Sequence, residues 1–150
     1  MAFRTPMFFT YYAQTYRVDS TPDGGLMGTI LNLNTGLFEE NNAHIRECIW
    51  ATDSADISQV SEKRFVQETE FARRDFLSGD GPIFALYETI NGLYAQARTE
   101  GRSLRPEERA LVQTLSERTF ALWEAEAARR AEGEPPSFEV TSLASPEDDT

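Results

Sequence analysis

The chain has 150 residues, of which 40% are hydrophobic, and a formal net charge of −11. This length accommodates one domain with a substantial core, and the hydrophobic fraction excludes a chain that is disordered throughout. The negative charge argues against nonspecific binding to nucleic acid or to anionic lipid.

Other features of the composition point to a cytoplasmic protein. No apolar run approaches the roughly 20 residues that span a bilayer, so no membrane association is expected. The first residues lack a cleavage signature, which predicts that there is no signal peptide. The single cysteine, Cys48, cannot form an internal disulfide and fits a reducing compartment. Lys63 is the only lysine among 14 basic residues, a bias that suggests a GC-rich bacterial genome.

The first predicted element is a strand over residues 7–18, MFFTYYAQTYRV, which carries aromatic side chains on both faces. A strand with one face in water should alternate apolar and polar residues, and this one does not. Phe8, Tyr12 and Tyr16 would share one of the two faces. We therefore expect that face to be covered by another chain, either a second copy or a partner, unless residues 41–60 fold across it.

Two glycine-containing turns follow this strand. The Asp-Gly-Gly sequence at 23–25 lies between two β-rich runs and predicts an antiparallel hairpin. A second tight turn at 34–36 precedes a short third strand at 37–40. The N-terminal part is thus predicted to be a β-meander of about three strands. For residues 41–60 helix and strand both stay open, because the apolar spacing fits either period.

The rest of the chain has helical periodicity and predicts three helices, over 62–77, 82–99 and 105–132. In the first, Glu70 and Arg74 have the i, i+4 spacing of an ion pair. The positions predicted to be buried in the second and third helices include Tyr87, Ile90, Tyr94, Leu111, Leu115, Leu122 and Trp123.

Residues 133–150 are rich in proline and serine and carry five acidic residues without a basic one. This composition predicts an acidic, mobile tail whose removal leaves the stability nearly unchanged. The preceding residues, 1–132, are predicted to form a single domain of the α+β class. In this domain a small N-terminal antiparallel β-meander packs against three C-terminal α-helices.

His44 and Cys48, the only histidine and the only cysteine, stand four residues apart. On a helix this spacing places both side chains on one face, where they could supply two metal ligands or a thiolate–imidazole pair. A zinc site needs four ligands, so Glu40, Asp53 or Asp56 would have to complete it. Without a second Cys/His pair, a buried cysteine and a surface histidine are favoured. No metal or cofactor is predicted.

Other catalytic and ligand-binding motifs are missing from the sequence. Glu39 and Glu40 with the later aspartates could attract magnesium or calcium, but the alternating pattern of a calcium loop is lacking. There is also no glycine-rich phosphate loop and no serine nucleophile elbow. The tyrosines could stack nucleic-acid bases only in a basic groove, and residues 1–35 are neutral. The sequence predicts no catalytic residues and no direct binding to nucleic acid.

Taken with the aromatic strand, these exclusions favour a non-enzymatic bacterial protein that acts by binding another protein chain. An inhibitor, an immunity protein or an assembly adaptor would fit this description. Residues 36–80 carry ten acidic and five basic residues. The predicted contact residues lie on the aromatic sheet and in this acidic segment, and they are Phe8, Tyr12, Tyr16, Glu39 and Glu40. Two alternatives stay open: an acidic nucleic-acid mimic that competes for a DNA-binding protein, and a small enzyme or metal site around His44 and Cys48.

Overall fold

The computed structural model describes residues 4–51 and 55–143. These residues form strands and helices that in chain order are β1 (Met7–Tyr11), β2 (Gln14–Ser20), β3 (Leu26–Leu31), β4 (Phe38–Glu40), α1 (Ile45–Trp50), β5 (Ile57–Val60), α2 (Glu62–Phe76), β6 (Leu77–Gly79), α3 (Pro82–Thr99), α4 (Pro106–Ala131) and β7 (Val140–Ser142). An N-terminal antiparallel sheet followed by long C-terminal helices confirms the predicted α+β class.

The first five strands form one antiparallel sheet with the order β4-β3-β2-β1-β5. The predicted hairpin around the Asp-Gly-Gly turn is β2–β3. The single strand predicted over residues 7–18 is instead a hairpin, because the chain turns at Tyr12, whose φ of 54° is left-handed. This turn pairs Phe9 with Tyr16 and Phe8 with Arg17. Tyr16 therefore shares a face with Phe9 and not with Phe8.

One face of the sheet is covered by α1. Phe9, Tyr16 and Val18 pack in one buried cluster with Cys48 of α1 and with Ile57 of the edge strand β5. Residues 41–60, for which the sequence allows either a helix or a strand, thus contain one helix, α1, and one strand, β5. This segment also supplies the cover that the aromatic hairpin requires, so no second chain is needed on this face.

The opposite face of the sheet is covered by α2. Phe8 of β1 packs against Phe65 of α2, with ring centroids 4.8 Å apart. Farther along the same interface, the hydroxyl groups of Thr15 and Thr69 form a buried hydrogen bond of 2.8 Å. The helix begins at Ser61, whose hydroxyl oxygen accepts a hydrogen bond from a backbone N–H of the first turn. The aromatic residues of β1 and β2 are therefore core on both faces.

A buried ion pair within α2 is hydrogen-bonded to Tyr87 of α3. Glu70 does not pair with Arg74 as its spacing predicts; its carboxylate accepts hydrogen bonds from Arg73 and from the Tyr87 hydroxyl, each 2.7 Å long. Both members of the pair are almost fully buried. Burial and the nearby Glu70 carboxylate raise the pKa of Tyr87, so its hydroxyl stays protonated and can donate. The carboxylate thus has two strong donors in the interior.

The guanidinium of Arg73 extends this network to α4 and to the turn before β4. Its Nε donates to the backbone carbonyl of Gly36 at 2.8 Å. Its Cζ lies 4.6 Å from the ring centroid of Trp123, whose own Nε1 donates to the Tyr87 hydroxyl at 2.8 Å. Gly36 has φ +81° and lies so close to Trp123 that a Cβ would contact the indole at 2.5 Å. Arg73 is the centre of a fully packed polar cluster.

The C-terminal segment packs against the helices as far as Leu143. β7 pairs with β6, and the Phe138 ring lies edge-on to Trp123 with centroids 5.2 Å apart. The Glu126 carboxylate accepts a hydrogen bond of 2.8 Å from the backbone N–H of Ser137. This docking corrects the prediction of a mobile tail from residue 133. The packing of the Phe138 ring and the hydrogen bond to the buried Glu126 carboxylate hold the segment against the helices despite its polar composition. Residues 144–150 lie outside the described residues.

The docking of this segment is expected to weaken at acid pH. Burial alone raises the pKa of Glu126, but hydrogen bonds from Ser137 and Arg130 outweigh it and lower the pKa to about 2, against an ordinary value of 4.5. A carboxylate whose pKa is lowered by folding stabilises the folded state above its unfolded pKa and loses that contribution as pH falls through the folded value. We therefore expect the NMR signals of Phe138 to shift toward those of an unpacked ring between pH 4.5 and about 2.

The control for this titration is Glu124→Gln, an exposed carboxylate of the same helix, which should leave the pH dependence unchanged. Glu126→Gln should abolish the pH dependence of the Phe138 signals, since the glutamine amide does not titrate in this range. Phe138 signals that stay constant over this pH range in the wild-type protein would contradict the role of Glu126.

Candidate binding groove

The structure buries two of the residues predicted to contact a partner. Phe8 is 8% exposed and Tyr16 is 0% exposed. The Tyr16 hydroxyl donates to the Asn41 carbonyl at 2.5 Å, and burial raises the pKa of Tyr16 to about 12. Phe8 and Tyr16 are therefore core residues and not the contact residues that the sequence predicts, since α1 and α2 cover both faces of the sheet. Tyr12 is 60% exposed because it lies in the β1–β2 turn.

Glu39 and Glu40, also predicted to contact a partner, lie exposed on the short edge strand β4. Their carboxylates accept side-chain hydrogen bonds from Asn32 at 2.8 Å and from Asn42 at 3.1 Å. Negative charge on a short edge strand disfavours pairing with a strand of another molecule. The structure thus gives these residues a local role, and a partner contact there stays a prediction.

His44 and Cys48 lie beside the aromatic hairpin. The His44 ring stacks on Tyr11 at 4.2 Å, and its Nδ1 lies 3.7 Å from a carboxylate oxygen of Glu47. Burial raises the pKa of the Cys48 thiol to about 12, which keeps it in the unreactive protonated form. Asp56 lies before β5, and its carbonyl accepts from the Tyr12 amide at 2.6 Å.

Asp53, another candidate ligand, lies outside the described residues. Within residues 4–51 and 55–143, no group of three or more histidine, cysteine or acidic side chains is arranged to hold a metal ion.

A large, open groove lies between three helices. Helices α2 and α3 both pack against α4, and the space between them has a volume of about 680 Å³. A second cavity of about 370 Å³ adjoins it and shares three lining residues with it. We call the two cavities together the helical groove; its lining includes Gln67, Glu68, Phe71, Arg74, Asp75, Asn91, Tyr94, Arg98, Arg109, Val112 and Gln113.

Two large aromatic side chains project from the walls of the helical groove. Phe71 of α2 is 56% exposed and Tyr94 of α3 is 40% exposed. The guanidinium of Arg74 lies between them, with its Cζ 5.4 Å from the Phe71 ring centroid and 5.7 Å from that of Tyr94. Single exposed apolar residues are common on protein surfaces and need no explanation. Two exposed rings that contact the same cation beside one cavity indicate a surface suited to binding.

The helical groove is locally positive, although the chain as a whole is acidic. Arg74, Arg98 and Arg109 have no carboxylate partner among the described residues. Seven other arginines of the described chain do pair with carboxylates. Glu68, which also lines the groove, already lies 3.6 Å from Arg64. Asp75 is the second acidic residue of the lining, so the three arginines leave the groove with a net positive charge.

Periodicity alone does not identify the helical groove. Tyr94 and Leu111 are both predicted to be buried, yet they are 40% and 42% exposed, and Tyr94 lines the open groove. Phe71 is the signal in the sequence that could have identified the groove, since it lies off the apolar stripe that the helical period predicts for residues 62–77, namely Phe65, Thr69, Ala72 and Phe76. An aromatic residue on the polar side of a helix, three residues before an arginine, indicates a surface built for contact.

No protein-family model matches the chain, and searches of curated proteins and of solved structures find no match. In the described part of the chain, none of the helices combines the length and the apolar character that crossing a bilayer requires.

Proposed function

We propose that the chain is a non-enzymatic, cytoplasmic protein that acts by binding another protein, and that the helical groove is the surface it uses. The observation that carries this proposal is the pair of exposed rings, Phe71 and Tyr94, on either side of Arg74 in an open cavity. Aromatic and arginine side chains are the types most enriched in protein interfaces. An inhibitor, immunity protein or assembly adaptor acts in this way, by occupying its partner.

The proposed contact surface is the helical groove and not the N-terminal sheet that the sequence analysis favours. Both faces of the sheet are covered by helices of the same chain, which leaves little apolar area there for a partner. The larger cavity of the helical groove, in contrast, has a volume of about 680 Å³, within the roughly 300–1,000 Å³ of ligand pockets. It also presents apolar, aromatic and charged groups together, the combination that gives both affinity and specificity.

Removal of the two rings should abolish partner binding without unfolding the protein. The double variant Phe71→Ala, Tyr94→Ala deletes exposed side chains, so its free energy of unfolding should change by no more than about 1 kcal/mol. Interface aromatics that act as hot spots contribute at least about 2 kcal/mol each, so the loss of both should weaken binding well over tenfold. Quantitative affinity capture with the immobilised protein measures this loss.

The matched control is Tyr12→Ala, which removes an equally exposed aromatic residue from the β1–β2 turn. Proteins captured by the wild type should also be captured by this control and be lost with the double variant. Proteins that are retained by the double variant and lost with Tyr12→Ala would place the binding surface on the sheet and would contradict the proposal.

A further inference from the structure

We infer that the helical groove binds an acidic segment of the partner, which presents a carboxylate to Arg74 and an apolar side chain to the two rings. This inference rests on the proposed function, which it deepens by naming the chemistry of the partner.

The guanidinium of Arg74 is held in place with its donors unused. Phe71 and Tyr94 lie against it at 5.4 Å and 5.7 Å, and among the described residues it forms neither a hydrogen bond nor an ion pair. Arginine has five N–H donors in a rigid planar fork that matches a carboxylate. Because the rings already restrict its rotation, less entropy is lost when a carboxylate binds to it.

Two more arginines extend the positive charge along the helical groove. Arg98 lines only the smaller cavity, Arg109 lines only the larger one, and Arg74 lines both. Arg74 thus borders both cavities, and each cavity adds one further arginine. Arg109 donates to a backbone carbonyl at 2.7 Å, which fixes its side chain near the start of α4. A segment with acidic residues on both sides of an apolar one would complement these three arginines.

The charge of −11 on the whole chain does not prevent such binding. At physiological ionic strength, charges separated by more than about 8 Å are largely screened, so a short segment in the groove interacts mainly with its lining. That lining has three arginines and two acidic residues, of which Glu68 is already paired with Arg64. A long polyanion such as nucleic acid would extend beyond the groove onto the acidic surface, which favours an acidic peptide as the ligand.

Selection from a phage-displayed library of short random peptides tests this inference directly. We expect the peptides enriched on the wild-type protein to contain aspartate or glutamate next to leucine or an aromatic residue. Synthetic copies should bind at least tenfold more weakly to the Arg74→Glu variant. Binding to Arg118→Glu should be unchanged, because Arg118 is an exposed arginine of α4 outside the groove. The affinity should also fall as salt is raised, because ion pairs are screened.

The possible results separate this inference from the proposed function. Enriched peptides that lack acidic residues, but lose binding to the Phe71→Ala, Tyr94→Ala variant, would overturn the inference and leave the groove as a binding surface. Peptides whose binding is unaffected by that variant and by Arg74→Glu would overturn both. A selection that enriches no peptide would also count against the inference.

Discussion

Replacement of Arg73 by alanine is expected to lower the free energy of unfolding by about 3–5 kcal/mol, the range for removing one member of a buried ion pair. The Glu70 carboxylate would keep its hydrogen bond from Tyr87 and lose its only cationic partner in the network described above. The Gly36 carbonyl would lose its donor, and a void would open beside Trp123. Urea denaturation followed by circular dichroism measures the change.

The neighbouring residue gives the matched control for this experiment. Arg74→Ala removes the same side chain one position along α2, where the guanidinium contacts two rings at the surface of the groove. Its loss should cost no more than about 1 kcal/mol of stability, the value of an exposed cation–π contact. Stability should therefore depend on Arg73 and peptide binding on Arg74. Equal destabilisation by both variants would contradict the assignment of Arg73 to the core.

Gly36→Ala is expected to lower the free energy of unfolding by about 2–5 kcal/mol through two effects that add. Gly36 has φ +81°, which an L side chain rarely adopts. In addition, the new Cβ would lie 2.5 Å from an indole carbon of Trp123 and 2.8 Å from a methyl carbon of Leu77. The indole cannot move without breaking its contact with Arg73. The near-ultraviolet circular dichroism of Trp123 should weaken along with the stability.

Gly24→Ala separates the two effects, because this glycine has a similar φ of +89° but open space around its Cα. In Gly24→Ala only the left-handed backbone conformation is unfavourable, so the free energy of unfolding should fall by about 1–2 kcal/mol. Thermal unfolding of the two variants under the same conditions measures the difference. If both variants unfold at the same temperature, the close approach of the turn to Trp123 is not a determinant of the fold.

The parts of the fold that were predicted from sequence depend on local signals. The helices predicted over 62–77 and 82–99 occupy Glu62–Phe76 and Pro82–Thr99, because capping residues and prolines act within one turn of the helix. The β2–β3 hairpin was predicted for the same reason, since its glycines permit the turn directly. The β1–β2 turn has no glycine, so the alternation of side chains was extended wrongly through Tyr12.

The parts that could not be predicted depend on contacts between distant elements. Glu70 has arginines at both i+3 and i+4, and only the packing of α2 on α4 decides that Arg73 is the one inside. The choice leaves Arg74 facing the groove. The groove itself is formed by three helices whose separation no local pattern specifies. The docking of Phe138 likewise depends on a surface that the preceding helices create.

Site-specific photo-crosslinking is the measurement that tests the groove as a binding surface most directly. The photoreactive residue p-benzoyl-phenylalanine would replace Tyr94 in one protein, and Tyr12 or Trp50, which are exposed and do not line the groove, in two others. We expect the partner, or an enriched acidic peptide, to crosslink from position 94 and to be displaced by an excess of unlabelled peptide. Crosslinks from position 12 or 50 with none from position 94 would contradict the account.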